Sequence, residues 1–340
     1  MSATHPEQPL ISVALCTYNG ERYLREQLDS ILAQEEVRIE VVVVDDCSTD
    51  GTRALLQDYA ARDARFRLFE NESNLGHLRS FEKCMGLCAG TLIAPSDQDD
   101  IWEPAKLRRL RDALGDADLA YCDSAYIDGE GRPLGRSISD DLDTMHAGRD
   151  PLRYVFQNTV SGHALLVRRE VFDACLPFPE LLYHDWWLAM CAASRNGVVY
   201  VDAPLVRFRR HGEACSPLGK KKLMSHRERR AARKAAGVPK DWFPDSPDRR
   251  WLEERLYLLH ALGATQWRGC EQARRLEQAL RNADAGDTAL LFGAVWGTRA
   301  SLPPFRGMGW FKAVQFFRRC KRKLRRAQRQ GPVTGKLFRA

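Results

Sequence analysis

Three times in the first hundred residues a run of aliphatic side chains stops on a polar cluster, with helix-like spacing filling the gaps. Residues 10–16 (L-I-S-V-A-L-C) read as a buried strand that ends on Thr17-Tyr18-Asn19. The β-branched run 39–44 ends on Asp45-Asp46, and 91–95 runs into Asp97-Gln98-Asp99-Asp100. Uninterrupted β-branched strands are typical of a parallel sheet covered on both faces. Between them, Leu24, Leu28, Ile31 and Leu32 share one helix face, and Ser48, Thr49 and Asp50 offer caps to a helix carrying Leu55, Leu56 and Tyr59. A further strand at 66–69 and an Asn74-Leu75-Gly76 turn lead to a helix across 81–88. The alternation predicts an α/β fold with a doubly wound, mostly parallel sheet. Such sheets bind ligands at the carboxyl ends of their strands, so the three polar clusters are expected in one crevice. Neither a Gly-x-Gly-x-x-Gly fingerprint nor a phosphate-binding P-loop is present, which excludes the ordinary dinucleotide and P-loop sites.

Past Trp102 the pattern predicts a helix at 104–114, strands at 119–123 and 162–168, a helix at 184–195 and one or two strands at 198–208. From about residue 220 the chain reads as helical and basic. The 340 residues suit about two domains, and charge sets the expected boundary. Residues 1–217 hold 23 basic and 35 acidic residues, whereas 218–340 hold 29 basic and 10 acidic. An acidic body with a basic C-terminal region points to a polyanionic partner for the latter. No stretch reaches the roughly 18 apolar residues of a membrane span. The amino terminus has neither the charged start nor the apolar core of a secretory signal, so a cytoplasmic location is expected. The ten cysteines show no Cys-x-x-Cys or zinc-like spacing and read as reduced thiols.

The residue types at the strand ends carry chemistry. Asp97, Asp99 and Asp100 fall within four positions, and carboxylates so close need a cation or hydrogen bonds between them. Mg²⁺ or Mn²⁺ takes one or two carboxylates together with substrate phosphates. Asp45 and Asp46 can accept from ribose hydroxyls or a pyrimidine imide, or can cap the turn into the next helix. Asp185, in His184-Asp185-Trp186-Trp187, opens an apolar helix, where it can cap the helix or act as a general base beside indoles that exclude water. In Arg207-Phe208-Arg209-Arg210-His211 the cations can clamp a diphosphate, and His211 can ligate metal or phosphate.

Together, I-S-V-A-L-C-T-Y-N-G, E-V-V-V-V-D-D-C-S-T-D-G-T, N-L-G, D-Q-D-D-I-W, H-D-W-W and R-F-R-R-H resemble the family 2 glycosyltransferases of GT-A fold over about residues 8–217. The pairing of D-Q-D-D-I-W with H-D-W-W is most similar to a bacterial rhamnosyltransferase-like branch. The resemblance implies a metal-dependent inverting transferase using a nucleotide-diphospho-sugar, dTDP-rhamnose or a UDP-sugar. The implied acceptor is a hydroxyl of a growing bacterial surface glycan, lipopolysaccharide or another lipid-linked oligosaccharide. It places Thr17, Tyr18 and Asp46, with Asp45 adjacent, at the base and ribose, and Arg79 near the donor. Asp97 and Asp99 match the ends of the D-x-D element, with Asp99, Asp97 and His211 as metal ligands and Arg209 and His211 on the donor side. Asp185 matches the catalytic base, and Ser161-Gly162 the acceptor side. Where the branch usually carries Tyr-Arg-x-His, this chain has Phe208-Arg209-Arg210-His211.

Residues 312–329 contain nine basic side chains and no acid, and Trp310, Ala313, Val314, Phe317, Cys320 and Leu324 fall on one helical face. A cationic amphipathic helix over 310–329 is expected to lie on an anionic membrane surface, making the protein peripheral at the inner face of the cytoplasmic membrane. Packing of this helix on the catalytic domain or an oligomer interface is the alternative. Two rival functions are a nucleotidyltransferase acting on sugar phosphates and a nucleic-acid-binding protein using the basic tail. The first lacks its Gly-rich basic loop after the opening strand, and the second lacks a binding module, so no nucleic-acid partner is expected.

Overall fold

The computed structural model describes residues 8–142, 144–211, 247–284, 293–294, 318, 320–325 and 327. Its first half follows the expected alternation: β1 (Leu10–Thr17), α1 (Glu21–Leu32), β2 (Arg38–Asp45), α2 (Thr52–Arg62), β3 (Phe66–Glu70), α3 (Gly76–Leu87) and β4 (Leu92–Ser96). β1 lies between β2 and β4 with all three parallel, and β3 continues the sheet beyond β2. The period-two alternation of strand side chains sorts the core into two layers. On β2, Val41 and Val43 pack with Leu24, Leu28 and Ile31 of α1, while Val42 and Val44 face Cys84 and Met85 of α3.

The second half departs from a mostly parallel sheet. It contains β5 (Ile101–Trp102), α4 (Lys106–Leu114), β6 (Leu119–Ile127), β7 (Pro133–Ser137), α5 (Ile138–Asp141), α6 (Leu152–Phe156), a 3₁₀ turn (Gly162–Ala164), β8 (Leu165–Arg168), α7 (Arg169–Ala174), α8 (His184–Ser194) and β9 (Val198–Arg209). The strand order is β3-β2-β1-β4-β8-β6-β9-β5, with β7 on β6. β8 is antiparallel to both β4 and β6, β7 is antiparallel to β6, and β5 is antiparallel to β9. The β4–α4–β6 crossover leaves one strand position open, and β8 fills it later from the opposite direction. The sheet is therefore mixed, which corrects the mostly parallel expectation.

β9 is one twelve-residue strand, parallel to β6. Two register shifts around Asp123 let it run past the end of the sheet to Arg209. There it meets β5, with Ile101 opposite Arg207 and Trp102 opposite Val206. This pairing carries the last residues of β9 alongside the Asp97–Asp100 turn.

Two C-terminal helices, α9 (Pro247–Ala264) and α10 (Cys270–Asp284), lie in the region expected to be helical and basic. Leu252, Leu256, Leu259 and Leu262 of α9, with Leu276 and Leu280 of α10, join the hydrophobic cluster that holds Leu188 and Met190 of α8. Each such leucine contributes about 1.5–3 kcal/mol through burial. Cys320, Leu324 and Ala327 are buried in the same cluster. Two positions of the expected membrane-facing stripe are thus committed to the protein interior, while Trp310, Ala313, Val314 and Phe317 lie outside the described residues. The nine described cysteines are free thiols, as expected.

Candidate active site

The polar strand ends do converge. At the end of β1, Asn19 adopts a left-handed backbone (φ 48°), a conformation that Asn tolerates better than most residues. Its Oδ1 accepts from Thr49 N–H at 2.8 Å, tying the first cluster to the second. Gln98 ties the first to the third by hydrogen bonds to the Tyr18 backbone. The Tyr18 ring itself is exposed, a flat face at the mouth of the crevice.

Asp45 and Asp46 are buried and work inside the protein. Asp45 accepts from Thr17 Oγ1 (2.9 Å), Ser48 N–H (2.9 Å), Ser48 Oγ (2.5 Å) and Arg53 Nε (3.0 Å). Asp46 accepts from Asn71 Nδ2 (2.7 Å), Leu75 N–H (2.7 Å) and Gly76 N–H (2.9 Å), so it anchors the start of α3. The capping alternative thus describes Asp45, at the turn into α2, whereas Asp46 ties the end of β2 to the start of α3. Arg79 pairs with Glu82 (3.1 Å) and Glu180 (3.2 Å) and donates to the Phe178 carbonyl (3.3 Å).

The D-Q-D-D turn splits its acids two ways. Asp97 and Asp100 face His163 Nδ1, each 3.7 Å away, and Asp97 also lies 3.7 Å from His77 Nε2. Asp99 faces the other side, 2.8 Å from His211 Nε2. The expected trio of Asp97, Asp99 and His211 is therefore not one cluster. Among the described residues, the group of three within ligating distance of one another is Asp97, Asp100 and His163.

Burial works against ionisation of Asp97, but the His163 and His77 imidazoles outweigh it and hold the carboxyl well below its ordinary value. Asp100 is fully buried, and burial, reinforced by the charges of Asp99 and Asp97, pushes it up to about 7. Its Oδ1 accepts from Arg209 N–H at 3.0 Å, and its Oδ2 has no hydrogen-bond partner. Lys106 is buried beneath this turn, donates to the His163 carbonyl at 2.6 Å and lies 3.1 Å above the Trp102 ring.

Acidic oxygens with imidazole nitrogens suit Mg²⁺ or Mn²⁺, and the unpartnered Asp100 oxygen is an observation of the same sense. Two pairings fit a divalent ion differently. Octahedral ligands at 2.0–2.1 Å lie about 3 Å apart, close to the Asp99–His211 separation of 2.8 Å. Those two side chains also keep 18% and 11% exposure, whereas Asp100 has none.

Arg209 corrects the expectation of a diphosphate clamp. It is 1% exposed and its guanidinium is committed. Nε donates to Asp99 O at 2.9 Å, NH1 to Gly129 O at 3.2 Å, and NH2 pairs with Glu26 at 2.8 Å. Its plane lies over Tyr23 at 4.7 Å. It braces the acidic turn from behind, a role that charge in a sequence cannot distinguish from ligand binding.

Across the crevice, Asp185 opens α8. One oxygen accepts from Gly162 N–H at 3.1 Å, and the other from Asn158 Nδ2 at 3.2 Å and Trp186 N–H at 2.5 Å. Burial raises its carboxyl to about 6, only partly offset by these donors and by His77. Gly162 must lack a side chain, because a Cβ there would stand 2.7 Å from His184 Nε2. The His184 ring stacks on Phe81 at 4.4 Å, and burial lowers it to about 3, leaving it neutral. His77 stands between the two sides, near Asp97 on one and His184 (ring centroids 5.4 Å apart) on the other. His77, His163 and Lys106 were not among the expected site residues. Their only sequence signal was adjacency, His77 to N-L-G and His163 to Ser161-Gly162.

Residues 12–176 match the family described as Glycosyl transferase family 2. An uncharacterized glycosyltransferase of Haemophilus influenzae is 27% identical over 242 residues, covering 66% of this chain and 72% of its own length. An uncharacterized glycosyltransferase of Nostoc is 30% identical over 219 residues, covering 59% of this chain and 65% of its own. Among solved structures, TarS of S. aureus in complex with UDP-GlcNAc superposes with a TM-score of 0.57 at 17% identity, covering 95% of this chain and 93% of that one. The mannosyltransferase PcManGT of Pyrobaculum calidifontis, in complex with GDP-Man and Mn²⁺, gives 0.52 at 16% identity, covering 96% and 87%. At these identities the structural likeness concerns the fold.

Proposed function

We propose that this chain is a nucleotide-sugar-dependent glycosyltransferase, with a domain similar to glycosyl transferase family 2 over residues 12–176 on a GT-A-like fold, and that it inverts the anomeric carbon by direct displacement. The observation that carries this reading is the opposition of Asp185, a carboxyl raised to about 6, to the acid–imidazole side of the same crevice. Its donor is proposed to be dTDP-rhamnose or a UDP-sugar. Its acceptor is proposed to be a hydroxyl of a bacterial surface glycan, lipopolysaccharide or another lipid-linked oligosaccharide.

Asp185 takes the proton of the acceptor hydroxyl. The Gly162 N–H and Asn158 amide hold its two oxygens so that the carboxylate cannot rotate away. Its raised pKa makes it a better proton acceptor than an exposed aspartate, yet leaves it ionised at neutral pH. Asp99 and His211 would hold a divalent cation. When bound, such a cation neutralises the diphosphate charge that develops as the sugar leaves. Asp100, His163 and Lys106 are buried behind the turn and, with the half-buried Asp97, fix its shape. The exposed Tyr18 ring offers a surface for the nucleotide base. The PcManGT complex with GDP-Man and Mn²⁺ supports a cation of this kind.

Residues 1–217 are proposed as the catalytic domain and 218–340 as a basic region that meets anionic lipid through its exposed cations. Incubating the protein and Mn²⁺ with a panel of dTDP-, UDP- and GDP-sugars and a glycan acceptor, then reading the product anomer by NMR, tests the proposal. Retention of the donor's anomeric configuration would overturn it.

A further inference from the structure

Arg255 of α9 is buried, at 7% exposure, and its guanidinium lies between two indoles. Its carbon centre is 4.8 Å from the Trp186 ring and 5.2 Å from the Trp251 ring. Cations over tryptophan faces contribute about 0.5–1 kcal/mol when exposed and about 2 kcal/mol or more when desolvated. Its NH1 is paired with Glu254 at 2.5 Å, and its NH2 donates to the Phe156 carbonyl at 3.3 Å. The Lys323 ammonium also lies over the Trp251 ring, 4.5 Å from its centre. A line of cations and indoles thus joins the C-terminal region to the first turn of α8.

Both elements that Arg255 grips lead to the same carboxylate. Trp186 follows Asp185, donates its amide to Asp185 Oδ1 at 2.5 Å, and has its own indole N–H fixed on Tyr154 O at 2.6 Å. Phe156 ends α6 two residues before Asn158, whose amide reaches Asp185 Oδ1 at 3.2 Å. We infer that Arg255 is a positioning residue for transfer: by clamping Trp186 to Phe156 it holds two of the three donors that orient Asp185, so the C-terminal helices belong to the catalytic apparatus. The inference rests on the reading of Asp185 as the base. Arg255 touches neither substrate nor Asp185, and it acts through its neighbours.

The geometry separates this role from simple packing. Methionine can fill the slot between the indoles but has neither the charge for the rings nor a donor for Phe156. Lysine restores the charge without the planar fork. The test uses the full chain with Arg255→Met, Arg255→Lys and Asp185→Asn, measuring kcat, donor KM and hydrogen exchange of the Trp186 amide. Arg255→Met should lower kcat about tenfold, leave donor KM within twofold, and speed exchange at Trp186, and Arg255→Lys should recover part of each change. Should Arg255→Met fail to fold, Trp251→Leu removes one face of the sandwich and should show the same split at smaller size. Unchanged kcat, or equal effects on kcat and donor KM, would overturn the inference, as would unchanged exchange at Trp186. If Asp185→Asn keeps full turnover, the base reading fails, and the Trp186 exchange still decides whether Arg255 positions this turn.

Discussion

Gln98 and Tyr18 are joined by two hydrogen bonds of opposite sense: Tyr18 N–H donates to Oε1 at 2.8 Å, and Nε2 donates to the Tyr18 carbonyl at 3.0 Å. One side chain thereby sets the distance between the acidic turn after β4 and the loop after β1. Gln98→Ala should raise donor KM by about five- to tenfold, the loss of about 1 kcal/mol of positioning. Steady-state kinetics with varied nucleotide-sugar would show it, and an unchanged KM would mean the loops are held elsewhere.

Asp185 must be ionised to accept a proton, and its carboxyl sits at about 6. Activity should therefore rise as pH passes upward through about 6 and then level off. Asp185→Asn should remove that acid limb and cost about 10²–10⁴-fold in kcat with donor affinity retained. A pH–rate profile of both proteins, with donor binding by calorimetry, checks the pair of outcomes.

The two sides of the D-Q-D-D turn make opposite predictions for metal. Asp99→Ala or His211→Ala should weaken Mn²⁺ binding tenfold or more, whereas Asp100→Asn, which mimics a carboxyl already raised to about 7, should change it less than threefold. Titration calorimetry distinguishes these. The reverse order would assign the ion to Asp97, Asp100 and His163.

His184 is neutral in the fold because burial, aided by the nearby His77, lowers it to about 3, against an ordinary value of 6.5. The unfolded chain binds a proton there sooner than the folded one as pH falls below 6.5, so this group removes stability between about pH 6.5 and pH 3. His77 and His163 are shifted upward and act in the opposite sense. Relative to wild type, His184→Leu should thus gain on the order of 2 kcal/mol between pH 7 and pH 5. Denaturant unfolding at the two pH values measures the difference.

Arg322 and Arg325 are exposed, while Cys320 and Leu324 on the same helical segment are buried. Changing both arginines to Gln should reduce co-sedimentation with anionic vesicles by about tenfold or more, at roughly 1 kcal/mol per charge, without altering thermal stability. Identical sedimentation of the two proteins would remove this segment from any membrane role.

How far the sequence reached can be seen residue by residue. The strand ends at Thr17, Asp45 and Asp97–Asp100 were legible because aliphatic runs and polar clusters are local patterns. Pairing direction was not: β8 looks like any short buried strand, and only its neighbours β4 and β6 make it antiparallel. Arg209 read as a ligand-binding cation because sequence carries charge but not burial, and its partners Glu26 and Gly129 come from distant elements. The contacts of His77 and His163 with Asp97 cross long stretches of chain, so no spacing rule could place them. The helical character of the C-terminal region was legible, but not the grip of α9 on Trp186 through Arg255.

The meeting of β5 with β9 also sets an order in time. Ile101 and Trp102 must wait for residues 206–207, and Asp99 for His211, so the acidic turn leaves the ribosome long before its partners exist. At about 5–20 residues per second, the roughly hundred intervening residues take about 5–20 s. For more than half of that interval, until residues 165–168 are made, β4 has no β8 beside it, and its free edge is open to another nascent chain. Translation speed between β5 and β9 is therefore a variable that can change the yield of folded enzyme without changing a single side chain.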